Sequence, residues 1–377
     1  MLPANIVTND DYSFPQFERP VAAPLYQTSL FTYPTVEALC DGIKDEYSTH
    51  LYSRGNNPTV ELVEGRIAHL EKGEKAKLFS AGVSAIAAAI LSNVKAGDHI
   101  ICSQEAYTWA RYISATYLGR FGVTASFVDT TDYEAVESAI LPDTKLLYLE
   151  SPSSSFLRVT DLPAMAKLAK RHGITTIVDN TWATPLYQNP LEMGIDLVVH
   201  SASKYLGGHS DIVGGCAIGD AKRMEHIFKT EFLSMGTVPD PFQAWLIQRG
   251  MRTLHIRVPY HYHAALEVCD FLYGHPKVEQ VNYPMHPRNE WYQLASSQMS
   301  GGSGLLSLRL KERDPQKVAK AVNRLKMFRI GVSWGGYESL VFPSLASGGD
   351  PSMLRLHIGL EDTSSLILDL EQAFSCL

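Results

Sequence analysis

The chain has 377 residues, 45% of them hydrophobic and 19% charged, enough for a large core divided between two domains plus an extension. A net charge of -7, with no basic tract interleaved with aromatics, argues against binding a polyanion, so no nucleic-acid partner is expected. The longest purely apolar run, Ala85 to Leu91, is too short to cross a membrane, and the N-terminal Met-Leu-Pro-Ala-Asn lacks the charged and apolar regions of a secretory signal.

Residues 1–54 carry Pro3, Pro15, Pro20, Pro24 and Pro34 and show little periodicity, which reads as an extended arm. Phe14, Phe17, Tyr26, Phe31, Tyr33 and Leu39 are too many large apolar groups for a disordered tail, so the arm is expected to lie over another surface, that of a second subunit. From Asn57 the pattern becomes regular: an N-cap, Pro58 in the first turn, then Leu62, Ile67 and Leu70 on one face. Lys77-Leu-Phe79 leads through Ser80-Ala-Gly82-Val83 into an alanine-rich helix reaching about Val94. Strands are expected at His99 to Cys102, Ala125 to Asp129, Lys145 to Glu150, Ile174 to Val178 and Leu197 to Val199, with a helix between Asp161 and Gly173. Strands alternating with helices imply a mostly parallel, doubly wound α/β sheet, on which ligands bind beyond the carboxyl ends of the strands. Past about residue 245 the pattern changes to helices near Ala244–Arg249 and His261–Tyr273, strands near Gly304–Leu310, Ser339–Val341 and Met353–Ile358, and a closing helix from Ser364. The expected units are therefore an arm over 1–54, a larger domain over 55–245 and a smaller α/β domain over 246–377. Cys40, Cys102, Cys216, Cys269 and Cys376 are scattered without a close pair, which suits a reducing cytoplasm and leaves little for thiol catalysis or zinc.

The stretch Val198 to Gly215 concentrates the chemistry. Ser201 and Ser203 precede a single lysine, Lys204, and glycines follow it, so a ligand and its phosphate could approach closely. A desolvated lysine can form a Schiff base with an aldehyde cofactor, whereas a lone lysine at a strand end is ordinarily a solvated surface group. Asp179, at the end of a buried strand, needs a cationic partner to stay ionised, and a protonated pyridine nitrogen would be one; capping the next helix is the plain alternative. Gly82 and Val83 open a helix whose free N–H groups could hold a phosphate. Tyr107, beyond the strand ending near Cys102, could stack on a ring or move a proton, or simply pack. His261 and His263, two apart on a helix, point in different directions, so no metal site is expected there. Gly301 to Gly304 reads as a strand lead-in rather than a phosphate loop.

Together, Tyr52-Ser-Arg54, Asn57-Pro-Thr59, Ala81-Gly-Val83, Glu150-Ser-Pro152, Asp179-Asn-Thr181 and Ser201-Ala-Ser-Lys204 resemble the transsulfuration, or Cys/Met-metabolism, family of pyridoxal-phosphate enzymes, from about residue 20 to the C-terminus. Glu150-Ser-Pro-Ser-Ser-Ser155, Ser333-Trp-Gly-Gly-Tyr-Glu-Ser-Leu340 and Leu354 to Asp362 are most similar to its bacterial cystathionine β-lyase branch. The resemblance implies the pyridoxal-phosphate-dependent transferase fold type I, with a mostly parallel seven-stranded sheet in the large domain and a smaller C-terminal α/β domain. It implies that Lys204 carries pyridoxal 5′-phosphate and acts as base, that Asp179 pairs with the ring nitrogen, and that Gly82, Val83, Ser201 and Ser203 hold the phosphate. Tyr52 and Arg54 would reach that phosphate from the neighbouring subunit of a homodimer, itself expected to pair into a homotetramer. Tyr107 would stack on the ring, and Arg355, helped by Ser333, would clamp the substrate carboxylate. Ser154 stands where many members have Asn. Val332 stands where members that handle cystathionine tend to carry Glu or Tyr, and Trp109 where relatives have something small. The expected activity is β-elimination on a sulfur amino acid, cystathionine giving homocysteine, pyruvate and ammonia and cysteine giving sulfide, with a place in methionine biosynthesis. The alternatives are a γ-lyase or γ-replacement enzyme acting on methionine, O-acylhomoserine or another γ-substituted amino acid, and a non-catalytic cofactor-binding regulatory protein.

Overall fold

A computed structural model of the chain describes residues 1–8 and 20–377. Pro15, Phe14 and Phe17 of the expected arm lie outside the described residues. Seven strands form the larger sheet: β1 (Lys75–Phe79), β2 (His99–Ser103), β3 (Thr124–Val128), β4 (Thr144–Glu150), β5 (Thr175–Asp179), β6 (Leu197–Ser201) and β7 (Gly215–Gly219). Their order is β1-β7-β6-β5-β4-β2-β3, with β7 alone antiparallel to both neighbours. Successive residues of the central strands feed opposite cores: Leu149, Val178 and Val198 face one layer, Tyr148, Ile177 and Val199 the other. Both faces are covered, so these strands are continuous apolar runs rather than alternating ones. Each fully buried Val, Leu or Ile in them stabilises the fold by about 1.5–3 kcal/mol.

The helices start where local chemistry says they should. In α3 (Pro58–Leu70) the Asn57 side chain accepts the Thr59 N–H at 2.9 Å. The helix Leu162–His172 is capped by Asp161 through the Ala164 N–H at 3.0 Å and ends on Gly173 at φ +66°. The second sheet holds β8 (Val278–Asn282), β9 (Leu305–Leu310), β10 (Arg329–Ile330), β11 (Leu340–Pro343) and β12 (Met353–His357) in the order β10-β11-β12-β9-β8. One helix, Leu254–Gly274, spans both cores: Leu254 and Val258 pack with the large sheet, Ala264, Val268 and Leu272 with the small one.

Two expectations need correction. The arm is not uniformly extended: α1 (Pro3–Thr8) buries Ile6 and Val7 against α3, and α2 (Val36–Lys44) starts on Thr35, whose hydroxyl takes the Ala38 N–H. The prolines masked these short helices. The expected strands also omit β7, a reversed strand that begins at Gly215 and is wedged between β1 and β6. Its run Gly-Cys-Ala-Ile-Gly is short and carries no period to betray it.

Candidate active site

The site lies where β4, β5 and β6 end side by side. Glu150 is the ladder partner of Asp179, and Asp179 of Val199, two residues before Ser201. This is the edge at which open parallel sheets bind ligands.

On one side stands α4 (Gly82–Leu91), whose N-cap Ala81 supplies no side-chain hydrogen bond. Its first N–H groups, those of Gly82 and Val83, have no hydrogen-bond partner among the described residues, and the helix dipole points its positive end the same way. A Cβ on Gly82 would fall 2.9 Å from the Ser201 Cβ and Oγ, so only glycine lets helix and serine meet. The Ser201 backbone N–H donates to Thr181 Oγ1 at 2.9 Å, and its hydroxyl, on the α4 side, has no hydrogen-bond partner among the described residues. The Ser203 hydroxyl is instead engaged with Gly214, accepting its N–H at 2.9 Å and donating to its carbonyl at 3.2 Å. In the single chain Ser203 thus braces the loop carrying Lys204.

Asp179 gives one carboxylate oxygen to the N–H and hydroxyl of Thr181, and the other has no hydrogen-bond partner among the described residues. Burial pushes its pKa up, while the Thr181 hydrogen bonds, His200 and Lys204 pull it down. Beneath it, buried Glu71 accepts from Asn180 at 2.7 Å and pairs with His200. The Lys204 ammonium donates to Ser333 Oγ at 2.6 Å and lies 5.4 Å from the centre of the Trp334 ring. Burial and the Arg355 charge lower its pKa to about 8, against the opposing pull of Asp179. Gly335, at φ +86°, lets the Ser333–Gly336 loop press on the Lys204 backbone, where a Cβ would come within 2.9 Å of its Cα.

Tyr107 immediately precedes the helix Thr108–Tyr112 and donates its N–H to Glu150 Oε2 at 2.6 Å. Burial, then Asp179 and Glu150, raise its phenol pKa, so it stays protonated near neutrality. The Ser154 hydroxyl donates to the other Glu150 oxygen. Arg355, on β12, donates to the Val332 carbonyl at 2.7 Å and covers the Phe342 ring at 5.2 Å. Burial lowers its pKa, and the nearby Glu150 and Tyr107 work against that.

Lys204, Asp179, Tyr107, Ser154, Ser333 and Arg355 are therefore assembled from both domains, with Gly82, Val83 and Ser201 at one border. Val332 is 77% exposed and reaches the group through its backbone alone, and Trp109 is 51% exposed, edge-on to Tyr112. Tyr52 and Arg54 stand apart: Tyr52 bridges to Leu30, Arg54 approaches Glu46 at 3.9 Å, and neither is hydrogen-bonded to the strand-end residues. Two members have no role in the sequence reading. Glu150 holds both Tyr107 and Ser154, and Trp334 floors the lysine. The register of β4 on β5 is the signal for the first, since the parallel pairing that sets Leu146 against Thr175 ends with Glu150 beside Asp179.

A lysine of lowered pKa, a carboxylate with one free oxygen and an uncapped helix N-terminus, on a sheet of this topology, define a pyridoxal-phosphate enzyme of fold type I. The free N–H groups and Ser201 hydroxyl suit the phosphate, and the open oxygen of Asp179 suits a ring cation. The chain belongs to the Cys/Met metabolism PLP-dependent enzyme family, whose model matches residues 6–375. It is 35% identical to a cystathionine γ-lyase of Bacillus subtilis, with 94% of each chain covered. It is 36% identical to an L-methionine γ-lyase of Pseudomonas putida, covering 93% of this chain and 91% of the other. Among solved structures it superposes on metB from Corynebacterium glutamicum with a TM-score of 0.93 and 30% identity, over 100% of this chain and 98% of that one. These relatives establish the family but not the β-lyase branch that the residues around Glu150 and Ser333 suggested. No described helix is long and apolar enough to cross a membrane.

Proposed function

We propose that the chain is a carbon–sulfur lyase that removes the γ-substituent of a small sulfur amino acid, such as methionine, releasing a thiol, 2-oxobutyrate and ammonia. The observation that carries this is the Lys204 amine, whose pKa is lowered to about 8 and which lies 2.6 Å from Ser333 Oγ. γ-Elimination needs protons removed from Cα and then Cβ, and one mobile amine at the centre of the site serves both steps. Names of γ-lyases on relatives matched over nine-tenths of the chain support the same choice. Val332 adds to it, since a valine side chain offers no hydrogen bond to the distal head group of cystathionine, whereas a thioether needs none.

Pyridoxal phosphate, when bound, supplies an electron sink for the carbanion. Lys204 would hold it, Asp179 would face its ring nitrogen, Gly82, Val83 and Ser201 would take its phosphate, and Tyr107 would cover its ring. Arg355 would leave the Val332 carbonyl and take the substrate carboxylate in a bidentate pair. Tyr107, kept protonated by burial and the neighbouring carboxylates, would hand its proton to the departing sulfur. We further propose that the chain works as a homodimer, paired into a homotetramer, with Tyr52 and Arg54 completing the partner's phosphate site.

The keto acid formed from methionine and from cystathionine tests the reaction. 2-Oxobutyrate is expected. Pyruvate would overturn γ-elimination in favour of the β-elimination to which the Glu150–Ser155 motif leans.

A further inference from the structure

Glu150 has no part in the proton transfers above, yet both its oxygens are committed inside the site. One accepts the Tyr107 N–H at 2.6 Å and the other meets the Ser154 hydroxyl. A backbone N–H can only donate, whereas a hydroxyl can donate or accept, so Ser154 alone must respond when Glu150 changes its proton. We propose that Glu150 sets the hydrogen-bond polarity of Ser154, and through it how tightly the site holds the substrate carboxylate beside Arg355. This rests on the assignment of the carboxylate to Arg355 made above.

The stereochemistry leaves two arrangements. With Glu150 ionised, Ser154 spends its only proton on it and turns lone pairs toward the site, which repel a carboxylate. With Glu150 protonated, the carboxyl O–H donates to Ser154 Oγ, and the serine proton is released to donate outward. The groups that face Glu150 are Asp179 on β5, Tyr107 before the helix Thr108–Tyr112, Arg355 on β12, Cys102 on β2 and Tyr148 on its own strand. Burial and the Asp179 charge push Glu150 up to about 8, against Ser154, the Tyr107 N–H and Arg355. Asp179 and Glu150 are side by side, so keeping Asp179 ionised favours the proton on Glu150. The inward-turned serine is thus the alkaline form, the outward-donating serine the neutral one.

The test is calorimetric binding of L-alanine to the holoenzyme between pH 7 and pH 9.5, for the wild type, Glu150→Gln and Ser154→Ala. Alanine has no leaving group, so the result does not depend on which elimination occurs. The Gln amide donates to Ser154 Oγ and its carbonyl accepts the Tyr107 N–H, which mimics the protonated acid at every pH. Wild-type affinity should fall across this range by about tenfold more than that of Glu150→Gln, the scale of one hydrogen bond to a charged group. Ser154→Ala should bind weakly throughout and lose the extra fall, although Glu150 is intact; this variant carries the test if Glu150→Gln does not fold. Parallel profiles for the wild type and Ser154→Ala would overturn the inference while leaving the carboxylate site in place. Failure of the wild type to bind alanine at all would instead remove the assignment to Arg355, and this inference with it.

Discussion

Lys204 is held by opposing influences. Burial and Arg355 push its proton off, Asp179 pulls it back, and Ser333 receives its hydrogen bond. With the pKa lowered to about 8, below that of an ordinary lysine, the amine is mostly protonated at pH 7 and mostly neutral at pH 9. Only the neutral amine attacks an aldehyde. Capture of pyridoxal phosphate by the cofactor-free protein should therefore accelerate by about tenfold per pH unit up to about pH 8 and level off above it. Stopped-flow absorbance follows this directly. Acceleration continuing past pH 10 would mean that the lysine is solvated as on any surface. Removing the Arg355 charge should move the plateau to higher pH, because a like charge is one of the groups that expel the proton.

At the scale of elements, what could be read beforehand follows how local each cause is. Asn57, Asp161 and Gly173 act within a turn of themselves, so the starts of α3 and the helix Leu162–His172, and the end of the latter, are visible in a few residues. The apolar runs of β4, β5 and β6 are visible because both faces of the sheet are covered. β7 is hidden, since its direction is imposed by β1 and β6 rather than by its own five residues. The site divides in the same way. Lys204, Asp179 and Gly82 occupy strand-end or helix-start positions with their own signature. Glu150 becomes a site residue only through register, Trp334 only because Gly335 brings a small-domain loop onto Lys204, and Ser203 turns to Gly214 because β7 folds back. α1 and α2 were obscured by the prolines around them.

Across the whole molecule, the small domain is fixed to the large one at the site. The Trp182 indole N–H donates to the Leu305 carbonyl at 3.0 Å, and the Tyr205 hydroxyl accepts the Gly304 N–H at 2.8 Å. The arm, by contrast, leaves Val36 at 71% and Ile43 at 61% exposed, and Tyr52 and Arg54 each about half exposed. Such a surface fits the proposed partner subunit. Arg54→Ala and Lys204→Ala should each be inactive alone, and co-expressing the two chains should restore activity, because one site of each mixed dimer then has both residues. No recovery in the mixed dimers would place Arg54 outside the site.

All of these readings depend on one amine. Borohydride reduction of the holoenzyme, followed by peptide mass spectrometry, should find the pyridoxyl group on Lys204 and nowhere else. A label on another lysine, such as Lys77, which is already paired with Glu64 at 2.9 Å, would contradict the site described here.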